Sequence, residues 1–407
     1  MNNQWKKNTI LFLASQTISL FGSSLVQYAI TWYITLKTQS GAMMTIAILC
    51  GFLPTFFLSP FAGVWADRYN RKLLIILADT LIALVTLILA VLFFLGYESI
   101  WLLFVALAIR AVGTGIQMPA VGAFLPQWVP EDKLTKVNAT NGSIQSLVML
   151  VSPMLSGALL TAATIESIFF IDVVTAAAAV AILLLFLRVP VHEKALKRES
   201  TTYFADLKEG FKYILNHRFV RTLCLFNIFF YILAAPVAFL TPLQVTRNFG
   251  NDVWRLTAIE IAFSVGMMVG GLAMASWQGF KNKVYTMSLS ILIIGVGTLV
   301  LGVIPVFWMY LIFVSAIGIA MPVFNTPATV LLQQKVEGNF LGRVFGVLTM
   351  LSSSMMPLGM LIFGPLADYI AIEWLLMGTG GLMILQGVVM FINKAFVQEG
   401  KPIEQPE

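Results

Sequence analysis

Twelve stretches of mostly apolar residues decide what this chain can fold into. They begin near Asn8, Met44, Leu73, Ile100, Asn138, Ile168, Phe219, Leu256, Tyr285, Trp308, Val344 and Trp374. Each is long enough to cross about 30 Å of hydrocarbon, which takes roughly 20 residues as a helix. Spanning β-strands would show about ten residues of alternating polarity, and no stretch alternates that way. The expected fold class is therefore an all-α integral membrane protein of about twelve transmembrane helices. Composition closes the soluble alternative: only 11% of the 407 residues are charged, against about 25% in soluble domains, too few to cover two or three water-facing surfaces. The first run continues to about Leu36 with no small-residue cleavage site behind it, so it reads as a retained span rather than a signal peptide.

The basic residues set the expected orientation. With the N-terminus in the cytoplasm and loops assigned alternately, only Lys37, Arg247 and Arg255 of the 25 Lys and Arg fall outside, and Arg110 lies within a span. An excess of Lys and Arg marks the cytoplasmic side, and an even number of spans puts both termini there. The net charge of +6 thus records orientation, and no nucleic-acid partner is needed to explain it. The location implied is a membrane with both termini on its cytoplasmic side.

The one long polar stretch, about Val189 to Arg218, separates six spans from six. The expected organisation is a six-helix bundle over 1–188, a cytoplasmic linker over 189–218, and a second bundle over 219–407. Phe204, Leu207, Phe211, Ile214 and Leu215 recur at helical spacing, so part of the linker should be an amphipathic helix on the membrane face. The halves echo one another. Leu134-x-x-Val137 matches Leu341-x-x-Val344 at a shift of 207 residues, and the same shift carries Gly157 onto Gly364 and Ile165-Glu166 onto Ile372-Glu373. Pro119-Ala120 matches Pro327-Ala328 at 208. Internal duplication with a substrate path between the repeats is the plan of many secondary transporters.

Polar groups inside the spans are the candidate functional residues, because intramembrane charge is costly. Arg110 falls near the middle of the fourth span, while Asp79, Asp172 and Glu260 fall nearer the membrane faces. Counted by helical rise, none of the three is level with Arg110. Proton coupling is expected of Arg110 with Asp172 or Glu260; ion pairing or capping near a span end is the structural alternative for each acid. Gln27, Asn227, Tyr231 and Asn325 are polar groups inside spans that would face a wet substrate cavity or equally bond helix to helix. Cys50 and Cys224 lie inside apolar runs, and both histidines lie in the linker, so neither a disulfide framework nor a metal site is expected. No cofactor is implied, and the absence of a Walker A sequence excludes an ATP-driven pump in this chain.

The loop after the second span reads Gly63-Val-Trp-Ala-Asp67-Arg68-Tyr-Asn-Arg71-Lys72. Gly63 suits a tight helix exit, and Asp67 could sit at a helix N-terminus. This Gly-x-x-x-Asp-Arg-x-x-Arg-Lys pattern resembles the signature loop of the major facilitator superfamily. The resemblance implies two pseudo-symmetric six-helix halves, and it gives Gly63, Asp67, Arg68, Arg71 and Lys72 a gating role, with Asp67 acting near Gly342 and Arg343. The corresponding loop, Gly271 to Lys283, has no aspartate, so the gate should be one-sided. Arg110-x-x-Gly113-Thr-Gly115 resembles the family's second motif, associated with proton coupling. Span five keeps only Pro153 and Gly157 of the exporters' packing motif, with small residues at Ala139, Ser152 and Ser156. Together with Gly51-Phe-Leu-Pro54 and Leu341-Gly-Arg343-Val-Phe345, these stretches are most similar to the bacterial macrolide-efflux branch. The implied function is export of lipophilic drugs by proton antiport with alternating access, carried out by a functional monomer whose partners are the substrate, protons and the bilayer. A carrier of a metabolite such as a siderophore or sugar is the alternative. A membrane-embedded enzyme or sensor is a remote third, since no nucleophile elbow, phosphate loop or metal cluster appears.

Overall fold

The computed structural model describes residues 4–187 and 203–400. Its helices are α1 (Gln4–Thr38), α2 (Gly41–Arg68), α3 (Arg71–Phe94), α4 (Ile100–Phe124), α5 (Glu131–Ala162), α6 (Ile165–Leu185), α7 (Tyr203–Asn216) and α8 (Arg218–Phe239). They continue as α9 (Thr241–Phe249), α10 (Val253–Trp277), α11 (Lys283–Leu301), α12 (Phe307–Lys335), α13 (Gly338–Leu366), α14 (Ile372–Ile392) and α15 (Lys394–Glu399). Twelve spans are long and apolar enough to cross a membrane, α8 and α9 counting together as one. No strand occurs among the described residues. Residues 189–202 of the expected linker, and the side chains of Phe204 and Leu207, lie outside the described set; Tyr203–Asn216 is a helix.

The helices bury a mostly apolar interior with a few polar groups placed in it, and their outward faces are also apolar. On α3 the buried face carries Asp79 and Thr86 beside Ile75, Ile82 and Leu89, while Leu77, Leu84 and Ile88 are exposed. Lipid solvates that outer face, and any polar group facing it would go unsatisfied.

The chain forms two compact units. The first comprises residues 1–37 and 46–203, the second 38–45 and 204–407. In the first, α3 packs on α4 and α6; in the second, α11 packs on α12 and α14, so the third span of each half makes the same pair of contacts. The matching helix starts are capped alike: Asn70 accepts from the Leu73 N–H, and Asn282 from the Val284 N–H. Within the second unit, α10 and α12 cross on glycine. A Cβ on Gly318 would collide with the Phe263 carbonyl oxygen, and one on Gly266 with that of Ser315. Without a hydrophobic drive between helices in lipid, such close backbone approach is a main source of packing energy.

Candidate functional site

Three helices of the first unit carry polar residues at helical repeats: Ser19 and Ser23 on α1, Asp79 and Thr86 on α3, Arg110 and Gln117 on α4. Spacings of four and seven keep each pair on one face. The faces meet, and two polar layers result.

The first layer holds the charge pair. Arg110 Nη1 lies 2.6 Å from Asp172 Oδ2 on α6, with Arg110 5% and Asp172 0% exposed. The Thr86 hydroxyl bonds both partners, 3.1 Å from Asp172 Oδ2. Ser23 contributes its hydroxyl to Asp172 Oδ1 at 3.4 Å, and its carbonyl accepts from Arg110 Nη2 at 3.2 Å. Gly22 makes room for this: a Cβ there would collide with Thr175 Oγ1 and lie 2.9 Å from Asp172 Oδ1. Rise counting places no acid level with Arg110, and the structure corrects this. Counts taken from estimated span ends cannot register helices that start at different depths and tilt.

The second layer lies one to two turns along the same helices. Asp79 Oδ1 accepts from the Ser19 hydroxyl at 2.8 Å and from Gln117 Nε2 at 2.6 Å; its Oδ2 has no partner among the described residues. Asp79 is 1% exposed, and no described Lys or Arg forms an ion pair with it. Thr86 and Gln117 are site residues absent from the candidates read in the sequence; their spacing of seven from Asp79 and Arg110 is the signal that could find them. Beside the first layer, a pocket of about 230 Å³ is lined by Ser23, Gln27, Thr55, Arg110 and Thr114, so Gln27 and Arg110 share one cavity.

The signature loop's cations tie helix ends together within the same unit. Arg71 donates from Nε to the Ala66 carbonyl and from Nη1 to that of Ala123, in the last turns of α2 and α4. Lys72 Nζ donates to the Leu187 carbonyl at 2.7 Å, just past α6. Helix C-termini present unpaired carbonyls and a negative dipole end, which is what these cations satisfy. Arg68 is exposed, and the side chain of Asp67 lies outside the described set. Gly63 does not form a helix exit: it lies inside α2, five residues before its end, with no described atom within 4 Å of a Cβ position. Pro153 stands inside α5, and Gly157 is buried beside Ser156, whose hydroxyl donates to the Leu25 carbonyl.

In the second unit, the Tyr231 hydroxyl donates to Asn325 Oδ1 at 3.4 Å, whereas Asn227 turns its amide back onto the Leu223 carbonyl of its own helix. Arg343 pairs with Glu209 of α7 at 2.9 Å. Glu260 lines a cavity of about 150 Å³ whose other walls include Phe230, Phe263, Met321 and Met356.

An unforeseen carboxylate sits at Asp368. It caps α2, whose first residues belong to this unit: the Gly41 N–H donates to Oδ1 at 2.7 Å, while the Ala42 N–H and the Ser40 hydroxyl donate to Oδ2 at 3.0 and 2.8 Å. Arg247 Nη2 stands 3.4 Å from Oδ1 and Nη1 donates to the Ala367 carbonyl. Burial pushes the Asp368 pKa up, but the Ala42, Ser40 and Gly41 bonds and the Arg247 charge outweigh it and hold the carboxyl below its ordinary range.

Twelve membrane-length spans in two like-packed halves, with a buried ion pair and a pocket beside it, fit a multi-pass membrane transporter. The Major Facilitator Superfamily model matches residues 12–360, and the chain belongs to that family. It is 29% identical to macrolide efflux protein A of Streptococcus pyogenes, over 95% of this chain and 96% of that one. It is 24% identical to the multidrug efflux pump Tap of Mycobacterium tuberculosis, over 90% and 89% of the two chains. Among solved structures, the nucleoside transporter NupG aligns with a TM-score of 0.67 at 14% identity over 96% of this chain and 98% of that one. A bacterial homolog of the human lysosomal transporter Spinster, in an inward-facing and occupied conformation, aligns at 0.72 with 12% identity over 100% of both. Transport rather than catalysis is therefore the family's activity, and the macrolide-efflux branch is the one this chain resembles.

Proposed function

We propose that the protein exports lipophilic drugs, macrolide-like or broader, by exchange for protons. The observation that carries this reading is the Arg110–Asp172 pair, sealed inside the first unit and adjoining a polar pocket. A proton delivered to Asp172 cancels the negative partner, and Arg110 is then left to the Thr86 hydroxyl, the Ser23 carbonyl and the pocket. Loss of the proton restores the pair. This gives two arrangements of one element, which a proton can bias. Asp79, in the layer below, supplies a second carboxylate on the same helical faces. Gln27, Asn227, Tyr231 and Asn325 would contact substrate, Pro153 and Gly157 would shape α5 for close packing, and Gly63, Asp67, Arg68, Arg71 and Lys72 would gate. Glu260, also expected to carry protons, stands in the other unit with no basic partner among the described residues.

The names of the efflux relatives support the direction of transport. The orientation proposed has both termini in the cytoplasm of a bacterium. It is supported by the scarcity of Lys and Arg on the other side, where only Lys37, Arg247 and Arg255 fall. The test is uptake of a labelled macrolide into inverted membrane vesicles under an imposed pH gradient. Wild type should accumulate the drug only while the gradient lasts, and Arg110→Ala should lose gradient-driven accumulation by about tenfold or more, the scale of one functional charge interaction. Normal accumulation by Arg110→Ala refutes the coupling role.

A further inference from the structure

The two units hold very different chemistry. The first has charges paired at a polar pocket; the second has one carboxylate opening onto an apolar cavity. Glu260 stands on α10 at the wall of a space of about 150 Å³ lined by Phe230, Phe263, Ile317, Met321 and Met356. Among the described residues it makes no ion pair and accepts no hydrogen bond, and it is half-buried rather than sealed, its surface open to the cavity. A carboxylate so placed lacks the cation that would stabilise it. The walls suit one. Aromatic faces attract cations, and thioethers are polarisable and adapt to irregular ligands.

Size narrows the ligand. A cavity near 150 Å³ admits a group about the size of benzene, whereas a whole drug-sized ligand fills about 300–1,000 Å³. The cavity therefore takes one end of a larger molecule. We infer that Glu260 and its apolar cavity form a subsite for the ammonium end of a lipophilic amine, the cation paired with the carboxylate and its alkyl or aryl substituents packed on Phe230, Phe263 and Met321. The inference rests on the export reading, and it assigns Glu260 to recognising the substrate's charge. An uncharged lipophile should gain from the cavity walls but nothing from the carboxylate.

The experiment measures equilibrium binding to the purified full-length protein in lipid nanodiscs, using labelled benzyldimethylhexylammonium and its uncharged analogue N-benzyl-N-hexylacetamide. Glu260→Gln keeps the side chain's volume. It should weaken the ammonium probe about tenfold or more, as expected for losing a partly desolvated charge pair, and leave the amide probe within about twofold. Glu260→Asp, which keeps the charge, should hold the ammonium probe within about threefold to fivefold of wild type, and it guards against a fold defect in the amide variant. Equal weakening of both probes in Glu260→Gln, or unchanged ammonium binding, overturns the inference. The outcome is independent of the export reading: inverted vesicles that accumulate macrolides while Glu260→Gln binds the ammonium probe normally would sink the subsite alone. Vesicles that transport nothing while the charge-selective binding loss is seen would sink export alone.

Discussion

At the scale of single residues, the informative group is the ion pair, and its two halves are unequally legible. Arg110 stands out in any reading of the sequence because a guanidinium in an apolar run must be compensated. Its partner is narrowed there only to Asp172 or Glu260, since Asp172 becomes Arg110's neighbour through the tilt and depth of α4 and α6 and through the gap at Gly22. Removing one partner leaves an uncompensated buried charge, which costs about 3–5 kcal/mol. Arg110→Met and Asp172→Leu should therefore each lower the melting temperature in detergent markedly, and the double variant should recover most of it while remaining unable to couple transport to a pH gradient. A double variant as unstable as the singles would show that the cluster's hydrogen bonds, and not its charges, hold the helices. Gly22→Val tests the seat itself. Its side chain would collide with Thr175 and Asp172, so the variant should match Asp172→Leu in both stability and transport.

Individual elements extend beyond their apolar runs. α5 begins at Glu131, well ahead of the run near Asn138, and its 32 residues reach about 48 Å at 1.5 Å each, longer than the hydrocarbon is thick. Hydropathy sees only the part that lipid selects; the rest is fixed by capping and packing. The same blindness hides Asp368, an acid in a short loop whose role depends on α2 starting beside it. Replacing this cap by Ala should cost about 0.5–2 kcal/mol at the α2 end, seen as faster hydrogen exchange of the Gly41 and Ala42 amides. The pH dependence follows from the direction of the shift. A carboxyl held below its ordinary value contributes stability that is fully present above the unfolded pKa of about 3.9. That contribution is lost as pH falls through the lower folded value. Protection of these amides should then be flat from neutral pH to about 5 and fall only on stronger acidification, whereas Asp368→Asn should show the fast rate throughout. Loss of protection already near pH ~6 in the wild type would assign the cap to another group.

Across the whole molecule, duplication preserved the scaffold and released the chemistry. Both halves pack their third span on the fourth and sixth, and both cap that span with Asn. Shifts of 207 to 208 residues nevertheless bring Arg110 onto Ile317 or Gly318, and a shift of 207 brings Asp172 onto Thr379. Neither charge survives in the second half, and Ile317 lines the cavity that Glu260 faces. The repeat is legible in the sequence because glycines, prolines and short motifs keep their register. The division of labour is not, since it depends on which side chains share an enclosed space. Returning a cation to the second half exposes that division. Ile317→Arg places a guanidinium on the wall of Glu260's cavity, where the carboxylate can neutralise it. The single variant should fold and melt close to wild type while losing affinity for ammonium probes, its own cation occupying their place. Combined with Glu260→Gln, the same arginine would be buried without a partner, at a cost of about 3–5 kcal/mol. The double variant should therefore melt well below either single variant. Equal melting of Ile317→Arg with and without Glu260 would mean that the arginine escapes the cavity and that the two positions do not share one site.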